Sequence, residues 1–209
     1  MVKLTIVIPI YNSENTLFKC LDSIPKRKDI ELICCDDCST DASWNILSNW
    51  TNNNRDKFNN IIIYKNKENI GVGKTKKSMY LKASGEYIIT IDSDDFVLKE
   101  AYSRAIDELY KPHKDNEMLV LDFCKNDGIR NNNYNTACAS WRYFIKLKYL
   151  KDNNLMIHET RHAEDWHMLE EAKKLKTPPV KVPLHIFAYH YNNPRVGSLR
   201  YNWLKEHGR

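Results

Sequence analysis

The sequence contains no apolar run near the roughly 18 to 20 residues needed to cross a bilayer. Its N-terminus also lacks a basic segment followed by a long apolar stretch, so neither a secretory leader nor a membrane span is expected. The chain is read as cytoplasmic, with any contact to a membrane limited to peripheral association. Six cysteines occur without a pair of C-x-x-C motifs and without secretory context, and reduced, buried thiols are the expectation. No strong excess of one charge is present either. The net charge is +5, with 32 Lys and Arg mixed among 27 Asp and Glu, far from the clustered basic stripe of a nucleic-acid binder. No repeat at solenoid spacing is visible.

What is there is an ordinary globular composition. The 209 residues are 42% hydrophobic and 28% charged, enough to bury a core without disulfide or metal staples, and they fit one domain. Apolar runs of strand length recur at Leu4 to Ile10, Ile30 to Cys35, Ile61 to Tyr64, Tyr87 to Ile91 and Met118 to Phe123. They are continuous rather than alternating, as parallel strands covered on both faces should be. Helical spacing follows the first four: Leu17, Leu21 and Ile24; Ile46, Leu47 and Trp50; Met79, Tyr80 and Ala83; Ala101, Ala105 and Leu109. The alternation predicts an α/β sheet of β-α-β units. Lys125 to Asn135 reads as a long polar loop, Trp141 to Leu150 and Asp165 to Leu175 as helices, and His185 to Tyr191 as a short strand.

Open α/β sheets collect ligands outside the carboxyl ends of their strands. Three strand ends here are unusually polar: Pro9 to Glu14, Asp36 to Asp41, and Asp92 to Asp95. The carboxylates of Asp92, Asp94 and Asp95 would repel one another unless a cation sat among them, and a hard divalent ion with oxygen ligands suits such a set. A solvated turn capping the next helix would use the same residue types. The strand-end location and the second Asp pair, Asp36 and Asp37, favour a metal and nucleotide site.

Taken in order, VIPIYNSENTLFKCLDSI, CCDDCSTD and NIGVGKTKKSMYLKASGEYIITIDSDD resemble the successive motifs of the family-2 glycosyltransferases of GT-A fold, over roughly the first 100 residues. The resemblance implies a Rossmann-like, mostly parallel sheet flanked by helices, with residues 1–123 as a nucleotide-sugar-binding half. Residues 124–209 would then form a small acceptor-side segment that carries the catalytic base. It implies that Pro9, Tyr11 and Glu14 surround the nucleotide base and ribose, and that Asp37 hydrogen-bonds a uracil ring. Asp92 and Asp94 match the D-x-D element, Asp92 meeting ribose or metal-bound water and Asp94 ligating Mn²⁺ or Mg²⁺ through the diphosphate. The donor would be a nucleotide-diphosphate sugar, most simply a UDP-sugar, and the acceptor a hydroxyl of a glycan, a lipid-linked sugar or a protein.

The sequence departs from the family pattern in two places. The usual glycine after the Asp pair is Cys38, and the usual Ala-Arg-Asn reads Thr75-Lys76-Lys77, so Lys76 meets a phosphate as a point charge without arginine's fork. Farther on, Glu164-Asp165-Trp166 resembles the E-D pair that supplies the base. Asp165 is assigned that role, with Glu164 beside it. His158, His162, His167 and His190 are read as polar surface or core residues, with contact to metal or diphosphate the alternative for His190, Trp166 as core, and Trp141 as core or a flat face for a sugar. A non-catalytic sugar-nucleotide binding module would keep Asp37 and the D-x-D element. A phosphate-loop NTPase is suggested by Gly71-Val72-Gly73-Lys74-Thr75, but the glycine that motif needs five residues before Gly73 is Glu68.

Overall fold

A computed structural model describes residues 1–111, 118–125, 130–131, 142–155, 157–160, 164–175 and 181–191. The first half alternates as expected: β1 (Leu4–Ile10), α1 (Leu17–Ser23), β2 (Ile30–Asp36), α2 (Ser43–Asn52), β3 (Asn60–Lys65), α3 (Val72–Lys82) and β4 (Tyr87–Thr90). Short β5 (Phe96–Val97) and α4 (Lys99–Glu108) follow, then β6 (Met118–Lys125), β7 (Arg130–Asn131), β8 (Tyr143–Lys146), α5 (Leu147–Asp152), α6 (Glu164–Lys173) and β9 (Lys181–Tyr191).

One nine-stranded sheet has the order β3-β2-β1-β4-β8-β6-β9-β5, with β7 paired to β6. The pairs β3-β2, β2-β1 and β1-β4 are parallel, and every residue of β1 and β2 is buried. Continuous runs such as LTIVIPI can form such strands because both faces meet helices. One face packs Ile6, Ile8 and Leu32 against α1, α2 and α4, through residues such as Leu21, Leu47 and Tyr102. The other packs Val7, Ile33 and Ile88 against α3, α5 and α6, through Met79, Leu150 and Met168. Among the described residues no helix is long and apolar enough to cross a membrane.

Three sequence expectations need correction. Trp141 to Leu150 was expected to be one helix; Tyr143–Lys146 is instead strand β8, and the helix begins only at Leu147. Tyr143, Phe144 and Ile145 are aromatic or β-branched and fully buried, antiparallel between β4 and β6, so tertiary pairing overrides a local apolar spacing. Trp141 itself lies outside the described residues. The stretch Lys125 to Asn135 is not loop throughout, because Arg130 and Asn131 pair antiparallel with Cys124 and Phe123. The short strand expected at His185 to Tyr191 runs longer, from Lys181.

Cys20, Cys34 and Cys35 are buried free thiols, and Cys38 is a half-buried one. Burial pushes the Cys35 thiol up to about 12, which keeps it protonated.

Candidate active site

The first three parallel strands and β4 end on one edge of the sheet, and side-chain hydrogen bonds close their loops into a ring. The Asp37 amide donates to the Ile10 carbonyl at 2.8 Å, continuing the β1-β2 ladder past the end of β2. Beyond it the two loops are laced: Asn12 N donates to Ser39 Oγ at 3.0 Å, Thr40 N to Asn12 Oδ1 at 2.9 Å, and Ser13 N to Ser43 Oγ at 2.8 Å. Asn12 adopts φ 47°, a left-handed conformation that asparagine tolerates better than most residues. Ser13 Oγ and Ser93 Oγ, 2.8 Å apart, tie the β1 loop to the acidic turn after β4.

Asp37, only 4% exposed, is the second anchor. Its Oδ1 accepts from Asn66 Nδ2 at 2.8 Å and Ile70 N at 3.0 Å, and its Oδ2 accepts from Gly71 N at 2.9 Å. A carboxylate offers about four lone-pair sites, so these three bonds leave capacity for one more on Oδ2. Gly71, at φ 91°, starts α3 in a backbone conformation that favours glycine. The same geometry weighs against the phosphate-loop reading, since the amides of residues 70 and 71 serve Asp37 and not a phosphate.

From α3 the ring closes on the acidic turn. Lys76, 3% exposed, holds its ammonium 3.3 Å from Asp92 Oδ1. The Asp95 amide donates to the Asp92 carbonyl at 3.0 Å, which fixes the turn. Asp92 and Asp94 are half-buried and Asp95 is buried. The Cys20 thiol, driven well above its usual range by burial and then by Asp95, donates to the Asp92 carbonyl at 3.5 Å. Two half-exposed carboxylates with hard oxygens suit Mg²⁺ or Mn²⁺, ions that keep water and phosphate ligands rather than occupying a closed protein cage. Among the described residues no group of three or more His, Cys, Asp or Glu could hold a metal ion.

The remaining sequence-assigned residues divide. Pro9 is buried inside β1, while Tyr11, 48% exposed, stands at the rim. Glu14 Oε2 accepts from Ala42 N at 3.1 Å, and Asp41 Oδ1 from Ser43 N at 2.9 Å. Two carboxylates therefore cap the start of α2, whose amides would otherwise lack partners. Glu164 and Asp165 open α6, but their side chains, like those of Trp166 and His190, lie outside the described residues. Backbone pairing sets His190 opposite Phe96, so β9 runs beside the strand that follows the acidic turn. The sequence gives Asn66 no role, and Asn12, Ser13 and Ser93 enter only as members of the polar strand-end segments. Their polar type at strand ends was a signal, but their partners are distant in sequence.

Cys38 occupies φ 63°, a left-handed conformation that favours glycine and that explains why glycine is usual after the Asp pair. Cys38→Gly is expected to raise stability by about 1 kcal/mol, or roughly 2 to 4 °C in Tm. Thermal unfolding of both proteins checks this, and a lower Tm in the glycine variant would mean that the thiol's 3.6 Å contact with the Lys67 carbonyl outweighs the strain.

Comparison with known proteins agrees with this geometry. A model of glycosyl transferase family 2 matches residues 5–170. The poly(ribitol-phosphate) beta-glucosyltransferase of Bacillus spizizenii is 40% identical over 107 residues, covering 49% of this chain and 16% of that protein. The poly(ribitol-phosphate) beta-N-acetylglucosaminyltransferase TarS of Staphylococcus aureus is 24% identical over 215 residues, covering 95% of this chain and 37% of the relative. This chain thus spans well under half the length of either relative. Among solved structures, TarS 1-349 in complex with UDP-GlcNAc superposes with a TM-score of 0.75 at 24% identity, covering 92% of this chain and 59% of the other. The mannosyltransferase PcManGT of Pyrobaculum calidifontis, in complex with GDP-Man and Mn²⁺, gives 0.74 at 16% identity, covering 95% and 59%. At such identities the superpositions speak for the GT-A fold alone. The family match, however, runs without a break from β1 into α6, and on that ground the chain belongs to glycosyl transferase family 2.

Proposed function

We propose that this chain is an inverting, metal-dependent glycosyltransferase that moves a sugar from a UDP-sugar to a hydroxyl of a glycan, a lipid-linked sugar or a protein. The observation that carries the reading is the closed ring of contacts joining Asp37, Lys76 and Asp92 at the carboxyl ends of three parallel strands. Ligands of open α/β sheets bind at such an edge.

Each residue has a task in this reading. The spare acceptor capacity on Asp37 Oδ2 suits the N3-H of uracil, a donor that adenine lacks at the corresponding position. Tyr11 at the rim offers an aromatic face to the base. Asp94, with Asp92, would hold Mn²⁺ or Mg²⁺ together with the diphosphate, supplying positive charge to the leaving group. Lys76, already set against Asp92, adds a second positive charge on the phosphate side. The acceptor oxygen attacks the anomeric carbon from the face opposite the diphosphate, the C–O bond to the diphosphate breaks, and Asp165 takes the acceptor's proton. Inversion follows from that single displacement. The UDP-GlcNAc complex of TarS supports a UDP-sugar donor, and the PcManGT complex supports a divalent ion.

A donor panel that detects released nucleotide tests the reading. UDP-sugars should turn over in the presence of Mn²⁺ or Mg²⁺ and stop with EDTA, and UDP should bind better than ATP or GDP. Binding without any release across donors and acceptors would identify a binding module instead, and a preference for ATP would remove the uracil contact.

A further inference from the structure

Gly73 lies in the first turn of α3, and a Cβ built on it would sit 2.2 Å from the His158 carbonyl oxygen, 2.4 Å from the Thr160 carbonyl oxygen and 2.9 Å from the Thr160 nitrogen. All three are main-chain atoms, so no side-chain rotation relieves the overlap. Among the described glycines only Gly71 has a positive φ, so at Gly73 close approach, rather than backbone conformation, is what demands the missing side chain. Opposite charges hold the same seam one turn along: Lys77 Nζ lies 2.6 Å from Glu159 Oε1.

The docked segment is also bound to α6. His158 Nε2 lies 3.0 Å from Glu171 Oε2, and Ile157 is buried in the same cluster as Met168, Leu169 and Ala172. Thr160 precedes Glu164 by four residues, so chain length alone keeps the start of α6 within roughly 14 Å of it. About one turn on from Gly73, α3 carries Lys76 against Asp92. One helix therefore touches the donor edge and the segment that leads to the assigned base.

We propose that Gly73 is a positioning residue: its bare backbone lets residues 158–160 dock on α3 and so fixes the start of α6 relative to the donor edge. The catalytic part of this inference rests on the proposed function, because it takes Asp165 as the base. A glycine that was merely tolerated here would accept alanine and gain helix propensity from it.

The test uses Gly73→Ala in the full chain, with hydrogen exchange read by mass spectrometry, UDP titration in Mn²⁺, and steady-state transfer. Exchange should rise across residues 155–175 and stay at the wild-type level in β1 to β4. UDP affinity should hold within about twofold while kcat falls at least tenfold with little change in the donor KM, the pattern expected when an interaction made only in the transition state is lost. Wild-type exchange with a raised Tm overturns the proposal, as does raised exchange with wild-type kcat. Should the alanine variant fail to fold, Lys77→Glu opens the same seam by charge repulsion against Glu159. Pairing it with Glu159→Lys should restore exchange and kcat, and wild-type behaviour of Lys77→Glu alone would count against the docking seam. If wild type itself releases UDP from no donor, the functional reading fails separately, and the exchange pattern alone decides whether Gly73 docks the segment.

Discussion

Asp94→Ala is expected to abolish Mn²⁺-dependent UDP binding, a loss of at least 100-fold in affinity, or about 2.7 kcal/mol. The acidic turn offers only a few carboxylates, and the ion must be held by these and by the diphosphate together. Removing one takes away both a ligand and a charge that offsets the cation. The turn itself should survive, because the Asp95 amide to Asp92 carbonyl bond and the Ser13 to Ser93 contact do not involve the Asp94 carboxylate. Asp92→Ala should weaken binding less as a metal effect, but it also strips a counter-charge from the buried Lys76 ammonium, so its cost should appear in stability as well. Calorimetry of UDP binding with and without Mn²⁺ separates the two. Unchanged Mn²⁺-dependent affinity in Asp94→Ala would sink the site assignment.

The second large effect concerns transfer. Asp165→Asn keeps the shape of the side chain and removes its basicity, and loss of a general base costs about 10²- to 10⁴-fold in rate. Because Asp165 is assigned to the acceptor side and the donor and metal are assigned to Asp37, Asp92 and Asp94, UDP and metal affinity should be untouched. Glu164→Gln should be milder if Glu164 only orients the acceptor. The measurement is single-turnover transfer to whichever acceptor the panel identifies. A wild-type rate in Asp165→Asn would move the base elsewhere, with Glu164 the next residue to test.

The residues proposed for the site stood out in the sequence. The acidic positions Asp37, Asp92 and Asp94 stood out because they follow continuous apolar strands directly, at the edge where open α/β sheets collect ligands. Lys76 was picked out by its place in a motif, and it does face Asp92. Glu14 is different: its carboxylate caps α2, a use invisible in sequence because the Ala42 amide it satisfies belongs to another loop. Asp37 carries more than a ligand role, since it also latches the turn that starts α3.

The sequence by itself determined the first four strands, their crossover helices and the polar edge where they end, because continuous β-branched runs and helical spacing are local signals written within about ten residues. Only the tertiary structure decided that Tyr143–Lys146 is a strand, that β9 pairs with both β6 and β5, and that Gly73 must stay bare. Each of these depends on a partner far along the chain, as in the Ser13 and Ser93 contact 80 residues apart. Such partners leave no periodicity to read, because the energy that selects them comes from burying and pairing groups that meet only once the sheet has formed.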